Sequence, residues 1–285
     1  MLFSVVIVLT GANRSGTSFA ANLLLELGCD LGPADRLLGP DYRNERGYFE
    51  NKEILAANLS LLLGPWIDPA LWVDDIEGRR TIPWLTRLLM VAAKAQYFSG
   101  GRRTLSRRAA ARRDTLKQLA ARYSGVLVND ARFSSTLSAW RQDASIERVL
   151  YIYRHPAHVA RSMKAAYGLP IGLGYLFWCQ RVREFLRQAE GLPVVIVQYD
   201  RFFDPEGCQS EMERLSHFLG RSFDARQLMQ ALVKVRGPEL RHWDEGHSTE
   251  ASGRAMDVYA LLNRYHRQYS TLSPLVPSAD LLAPR

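Results

Sequence analysis

The chain has 285 residues, of which 47% are hydrophobic and 23% are charged. This composition excludes a disordered or collagen-like protein and allows a substantial core without metals or disulfides. The formal charge of +8 is local, because residues 94–122 hold nine basic side chains and one acidic one, whereas the remainder is balanced. Three scattered cysteines, no membrane-length apolar run and no signal-peptide pattern predict a soluble cytoplasmic protein.

Four short apolar runs predict the strands of a parallel sheet, at residues 3–9, 126–128, 148–153 and 194–198. A helical stretch follows each of them, and strands that alternate with helices indicate an α/β fold. We therefore expect a P-loop-like three-layer fold with a central parallel sheet flanked by helices. Ligands of such folds bind at the carboxyl ends of the strands.

The domain organisation follows from the lengths between these strands. About 100 residues separate the first two strands, too many for one crossover helix. We expect a single domain over 1–285, with a helical insertion at about 52–122 and a helical tail at about 211–285. The last residues, 273–285, are predicted to be poorly ordered.

A glycine-rich loop, GANRSGTS at 11–18, lies between the first strand and its helix. Gly11 and Gly16 have the spacing of a phosphate-binding P-loop, in which Gly16 lets the backbone approach an anion and the helix supplies free N–H groups. Thr17 stands where the nucleoside-triphosphate motif requires Lys, and the loop's cation is Arg14 instead. This favours a terminal anion other than a magnesium-bound γ-phosphate.

The run Arg14-Ser15-Gly16-Thr17-Ser18 resembles the loop of the sulfotransferases that use 3'-phosphoadenosine 5'-phosphosulfate (PAPS), in particular bacterial ones. A second resemblance is the pair Arg154 and Ser162, eight residues apart, the first at the end of a predicted strand and the second in the following helix. Weaker likenesses cover the stretches VVIVQYDRFF and EMERLSHFLG. The resemblance implies that all five loop residues hold the 5'-phosphosulfate and that Arg154 and Ser162 hold the 3'-phosphate.

Two positions depart from the family pattern. Asn129 stands where many bacterial members have Lys, which puts a catalytic role there in doubt. His158 replaces the usual Asp after the Arg-Pro loop and is interpreted as a surface or capping residue.

The resemblance also implies a general base, Glu or His, that deprotonates the acceptor. Glu50, in GYFEN, is the first candidate, and Glu45 and Asp130 follow. Glu50 is equally well explained as a carboxylate that stabilises the start of the next helix. Arg14 would join catalysis by neutralising charge together with the loop amides, so no metal is expected.

Six arginines lie between Arg102 and Arg113, and on a helix they would point in all directions. This segment is interpreted either as a solvated helix or as an electrostatic collar for the cofactor or an acidic acceptor. Three further tail residues, Arg236, His242 and His247, could lie near the nucleotide.

These motifs predict a sulfotransferase that moves a sulfuryl group from PAPS to a hydroxyl or amine by in-line transfer. The acceptor stays open between a glycan, a glycolipid and a secondary metabolite, and no nucleic-acid partner is expected. One alternative is a P-loop nucleotide kinase, which the missing Lys and the Arg154–Ser162 pair disfavour. Another is a non-catalytic anion- or nucleic-acid-binding protein that uses the Arg102–Arg113 cluster.

Overall fold

A five-stranded sheet lies at the centre of the described part of the chain. The structure, a computed structural model, describes residues 5–41, 44, 47–64, 68–77, 81, 83–86, 88–89, 103–236 and 253–278. The strands are β1 (Val5–Gly11), β2 (Leu127–Asn129), β3 (Ser145–Tyr153), β4 (Pro193–Gln198) and β5 (Ser273–Pro274), in the sheet order β2-β1-β3-β4-β5.

The first four strands are parallel, as the sequence predicts. β1 lies between β2 and β3, with Ile7 opposite Leu127 and Val8 opposite Val149. Because the chain crosses from β1 to β2 and back to β3, the loops that follow β1 and β3 are brought side by side at the carboxyl edge. The added edge strand β5 is antiparallel to β4.

Helices cover both faces of the sheet, which confirms the α/β fold with a central, mostly parallel sheet. The helices are α1 (Thr17–Glu26), α2 (Lys52–Leu63), α3 (Ala70–Ile76), α4 (103–110), α5 (Arg113–Arg122), α6 (Phe133–Trp140), α7 (Pro156–Tyr167), α8 (Ile171–Gln188), α9 (Cys208–Leu219), α10 (Ala225–Val235) and α11 (Gly253–Gln268). Side chains alternate along β3. Val149 and Tyr151 therefore enter one buried cluster, with helices α2, α5, α6, α8 and α11, while Leu150 and Ile152 enter the other, with α1, α9 and α10.

The described part of the segment between β1 and β2 is largely helical, and its ends are fixed by specific contacts. Helix α2 begins after Asn51, whose Oδ1 accepts hydrogen bonds from the N–H groups of the first turn. It ends at Gly64, where Arg108 Nη1 donates to the carbonyls of Leu61 and Leu62 at 2.9 and 2.6 Å. Arg108 therefore caps a helix, an outcome that its place in an arginine-rich run does not indicate.

The expected disorder of residues 273–285 is wrong for the first of them. Leu275 is fully buried, its N–H donates to the Leu192 carbonyl, and its carbonyl accepts from the Gly191 N–H. A two-residue strand followed by a buried leucine is too short for periodicity to reveal. Residues 279–285 lie outside the described residues.

The described residues include no helix with the length and apolar character needed to cross a membrane.

Candidate active site

Two positions of the segment from the end of β1 to the start of α1 have no room for a Cβ, so that only glycine fits there. Gly16 has φ +99°, and a Cβ built there would overlap the ring of Tyr199. At Gly11, a Cβ would overlap the carbonyl oxygen of Ile152 in β3. Arg14 itself adopts a positive φ of 68°, which is uncommon for a residue with a side chain. The loop is therefore held closely against β3 and the segment after β4.

Helix α1 presents an open N-terminus to this loop. Within the described residues, no side chain caps its first turn, and that turn contains no acidic residue. Free N–H groups and the positive end of the helix dipole together form a binding site for an anion.

One cavity brings the two predicted halves of the site together. It lies at the carboxyl ends of β1 and β3, and Arg14, Glu50 and Arg154 reach it from three separate parts of the chain. Its lining comprises Asn13, Arg14, Gly16, Thr17, Ser18, Phe19, Asn22, Asn44, Tyr48, Glu50, Ala131, Arg154, Ser162, Tyr167, Tyr199 and Val235.

A direct hydrogen bond joins the two halves. Arg14 Nε donates to Ser162 Oγ at 2.9 Å, across 148 residues of sequence. The loop cation and the helix α7 hydroxyl, which the resemblance implies for different phosphate groups, therefore lie within reach of one anionic ligand.

Ser15 differs from the other four predicted loop residues, because it does not line the cavity. Its Oγ is buried and has no hydrogen-bond partner in the described part of the chain, and its N–H donates to the Ala12 carbonyl. Ser15 contributes to the turn itself rather than to the wall of the cavity.

Arg154 is buried, with 5% of its surface exposed, and it is held by stacking. Its Cζ lies 4.6 Å from the centre of the Tyr199 ring, and its Nε lies 3.6 Å from Asp200 Oδ1, which is beyond hydrogen-bond distance. Among the described residues, Nε has no hydrogen-bond partner. A buried guanidinium that lines a cavity is suited to bind a phosphate.

Asp200 is fixed by the start of helix α7. Its Oδ2 accepts the His155 N–H at 2.8 Å, and its Oδ1 lies 3.2 Å from Nδ1 of His158. Nδ1 of His155 accepts the Ala157 N–H and caps the helix. The side chain of His158 is 9% exposed and pairs with Asp200, whereas the capping role falls to His155.

Glu50 is buried, 7% exposed, beside the same cavity. Its carboxylate contacts Arg132, whose Nη1 lies 3.1 Å from Oε2. Burial raises the pKa of Glu50 to about 7, while the Arg132 charge opposes this rise and the Asp130 charge adds to it. The capping position of helix α2 is taken by Asn51, and the Glu50 carboxylate pairs with Arg132 instead. A carboxylate that titrates near neutral pH suits proton abstraction.

Of the two other candidate bases, Asp130 and Glu45, the structure describes only Asp130. Asp130 is fully buried, and both of its oxygens accept hydrogen bonds, from Arg132 and from Asn58. It does not line the cavity. Glu45 lies outside the described residues.

The side chain of Asn129, at the position where many bacterial sulfotransferases have Lys, forms a hydrogen bond to a backbone carbonyl. Its Nδ2 donates to the Tyr48 carbonyl at 2.9 Å, and the backbone of Asn129 pairs with that of Glu50. It thereby fixes the segment that carries Glu50.

The remaining predicted residues lie away from this cavity or outside the described residues. Arg236 donates from Nη2 to the Phe202 carbonyl and does not line the cavity. None of the described arginines of the 102–113 cluster lines it either, and one of them, Arg113, is 3.1 Å from Asp143. Arg102, His242 and His247 lie outside the described residues.

Sequence reasoning missed several residues that shape the site. Tyr199 stacks on Arg154, Asp200 faces the same guanidinium, and Arg132 contacts Glu50. Tyr199 and Asp200 directly follow β4, so their place at the carboxyl edge of the sheet could have indicated them. No comparable signal marks Arg132, because its partner is 82 residues away.

No three or more His, Cys, Asp and Glu side chains among the described residues are grouped so that they could hold a metal ion. No family model matches this chain, and no curated protein matches it. Among solved structures, the chain is similar to the sulfotransferase domain of the olefin synthase from Synechococcus PCC 7002, with 15% sequence identity and a TM-score of 0.47. That likeness covers 92% of this chain and 94% of the other.

Proposed function

We propose that the protein is a sulfotransferase that moves a sulfuryl group from PAPS to a hydroxyl or amine acceptor. The observation that carries this proposal is the single cavity that joins the loop after β1, the Arg154–Ser162 pair after β3, and Glu50. Such a transfer needs two phosphate-binding groups and a base. The loop and the Arg154–Ser162 pair would bind the phosphates, and Glu50 would be the base.

The residues of the cavity fit a nucleotide that carries phosphate at two positions. The open N-terminus of α1, with Arg14, supplies one set of anion donors, since no side chain among the described residues caps the first turn of that helix. Arg154 lines the cavity at the second position, where the Tyr199 ring holds the plane of its guanidinium. Arg14 to Ser18 would therefore hold the 5'-phosphosulfate, Ser15 through the shape of the turn, while Arg154 and Ser162 would hold the 3'-phosphate.

When bound, PAPS supplies a sulfuryl group whose bond to the 5'-phosphate breaks as the acceptor forms a bond to sulfur. Glu50 takes the proton that the acceptor oxygen or nitrogen releases. Arg14 and the N–H groups of α1 stabilise the charge on the departing 5'-phosphate. Arg154 and Ser162 fix the far end of the nucleotide, so that reacting groups are held in place before the transfer.

The first experiment measures which nucleotide the protein binds. Thermal unfolding is followed with 3',5'-adenosine bisphosphate, with ATP plus magnesium, and with RNA. A ligand at 100 times its Kd stabilises the folded state by about 2.7 kcal/mol, so the bisphosphate is expected to raise Tm by several degrees. A shift with ATP or RNA in the absence of a shift with the bisphosphate would overturn the proposal in favour of a kinase or a nucleic-acid-binding protein.

The second experiment tests the base. Radiolabelled PAPS is incubated with a panel of phenols, amino sugars and sugar alcohols, and Glu50→Gln is compared with Glu184→Gln. Glu184 is a matched control, because desolvation also raises its pKa, its side chain is only 15% exposed, and it does not line the cavity. Glu50→Gln is expected to lower turnover about a hundredfold or more and to leave bisphosphate binding intact. Equal turnover in the two variants would contradict the role of Glu50.

A further inference from the structure

Behind Glu50 lies a buried triad in which one guanidinium serves two carboxylates. Arg132 Nη1 is 3.1 Å from Glu50 Oε2 and 2.8 Å from Asp130 Oδ1. The side chains of Glu50 and Arg132 are each 10% exposed, and that of Asp130 is fully buried. Of these three residues, only Glu50 lines the cavity.

The far end of the triad is anchored to two helices. Asp130 Oδ1 accepts the Arg132 N–H at 2.9 Å, and its Oδ2 accepts Asn58 Nδ2 of α2 at 2.8 Å. Asn58 Oδ1 in turn accepts from Thr136 Oγ1 and Trp140 Nε1 of α6, at 2.7 and 2.8 Å. These bonds fix Asp130, and through it the guanidinium that contacts Glu50.

We propose that Arg132 and Asp130 are positioning residues, which together hold the Glu50 carboxylate toward the acceptor and set its charge state. This inference rests on the proposed function, in which Glu50 takes the acceptor's proton. Arg132 provides the cation that an ionised buried carboxylate needs, and Asp130 offsets part of that cation's charge.

The two roles follow from electrostatics in a buried site. Burial alone would raise the pKa of Glu50 and keep it protonated, so that it could not accept a proton. The Arg132 charge lowers that pKa. An arginine with Glu50 as its only partner would hold the carboxylate too strongly in its charged form, which would weaken it as a base. The Asp130 charge raises the pKa of Glu50 again, so the value of about 7 reflects both neighbours. Within the described residues, the charged groups that shift the pKa of Glu50 are these two, both from the connection between β2 and α6, and the N–H of Ala131 in the same connection also donates to its carboxylate.

Opposite pKa shifts are therefore expected from two neighbouring substitutions. Asp130→Asn removes the negative charge and is expected to lower the pKa of Glu50, whereas Arg132→Gln removes the positive charge and is expected to raise it. Each shift is expected to be on the order of one pH unit. If the two residues acted on Glu50 through packing alone, the shifts would not have opposite sign.

The experiment uses the cofactor-free protein, so that one readout is independent of activity. Glutamate side-chain carboxyls are labelled with carbon-13 and titrated by NMR, and the Glu50 signal is assigned from its loss in Glu50→Gln. Arg181→Gln is the matched control, because the Arg181 side chain is also 10% exposed and ion-paired, with Glu184, but does not line the cavity. This control is expected to leave the Glu50 titration unchanged.

A second readout separates positioning from binding. Both Arg132→Gln and Asp130→Asn are expected to lower kcat at neutral pH with little change in KM for PAPS, and the acidic limb of kcat/KM is expected to move with the NMR titration. If Arg132→Gln fails to fold, Arg132→Lys retains the charge but loses the planar contact to both carboxylates. It is expected to keep the Glu50 pKa near 7 while lowering kcat.

The outcomes separate this inference from the function it rests on. Opposite shifts with a lowered kcat support it. Absent shifts, or shifts of the same sign in folded variants, overturn it even where Glu50→Gln is inactive and the bisphosphate binds. Full activity of Glu50→Gln overturns the base itself, and the role of the triad with it.

Discussion

Gly16→Ala is the substitution that most directly tests how the loop and Arg154 depend on each other. Gly16 has φ +99°, and its missing Cβ is the space in which the Tyr199 ring lies. The guanidinium of Arg154 stacks on the Tyr199 ring, with Cζ 4.6 Å from the ring centre. A methyl group at position 16 is expected to displace that ring, and with it the arginine assigned to the 3'-phosphate.

The expected loss of affinity can be estimated from these contacts. A positive φ costs alanine about 1–2 kcal/mol in the folded protein, whether or not ligand is bound. Displacing Arg154 from a phosphate removes hydrogen bonds to a charged group that are worth about 1.5–3 kcal/mol. That energy corresponds to a Kd for 3',5'-adenosine bisphosphate that is roughly 10 to 100 times weaker.

Gly28→Ala is the matched control, because it separates backbone strain from the contact with Tyr199. Gly28 follows the other end of α1 with φ +81°, and a Cβ there would meet nothing within 4 Å. Both variants are expected to lose a few degrees in Tm, and only Gly16→Ala is expected to bind the bisphosphate more weakly in isothermal titration calorimetry. Unchanged binding by Gly16→Ala, or an equal loss in Gly28→Ala, would refute the reasoning.

Four further predictions address other parts of the molecule. Arg154→Ala is expected to weaken the bisphosphate at least about tenfold and to leave 5'-AMP unaffected, because only the former carries a 3'-phosphate; equal losses in calorimetry would contradict this assignment. Because Glu50 must lose its proton to act, kcat/KM is expected to rise with pH through about 7, and a flat profile would contradict it. Leu275→Ala is expected to destabilise the protein by about 2–5 kcal/mol in denaturant titration, since that side chain is fully buried. In the same assay, Arg108→Ala is expected to cost about 2 kcal/mol and Arg107→Ala, at an exposed position, less than about 0.5 kcal/mol.

The parts of the site that could be predicted are those encoded by local sequence. The glycine spacing at 11–16 follows a buried strand, and both the left-handed Gly16 and the crowded Gly11 match what that spacing requires. Arg154 ends a strand and Ser162 lies two turns into the next helix, so a spacing of eight residues places both on one side. Fold class followed for the same reason, because four apolar runs each led into a helix.

The parts that could not be predicted depend on contacts between distant segments. Arg132 contacts Glu50 across 82 residues, and nothing in either local pattern pairs them. The sequence allowed either Glu50 or Asn51 to take the capping position of helix α2. In the structure Asn51 caps the helix. The edge strand at Ser273 was missed because two residues carry no period.

The positive charge of the chain is not concentrated at the proposed nucleotide site. Within the described residues of its most basic segment, Arg108 caps helix α2, Arg113 and Lys117 lie near Asp143, and Arg122 pairs with Glu53. None of these residues lines the cavity, where Arg14 and Arg154 are the basic side chains. Exposed charges more than about 8 Å apart are largely screened at physiological salt, so affinity for an anion there is expected to depend on Arg14, Arg154 and the α1 N-terminus. Net charge therefore does not locate the proposed nucleotide site, whereas the glycine loop and the Arg154–Ser162 spacing mark residues that line one cavity.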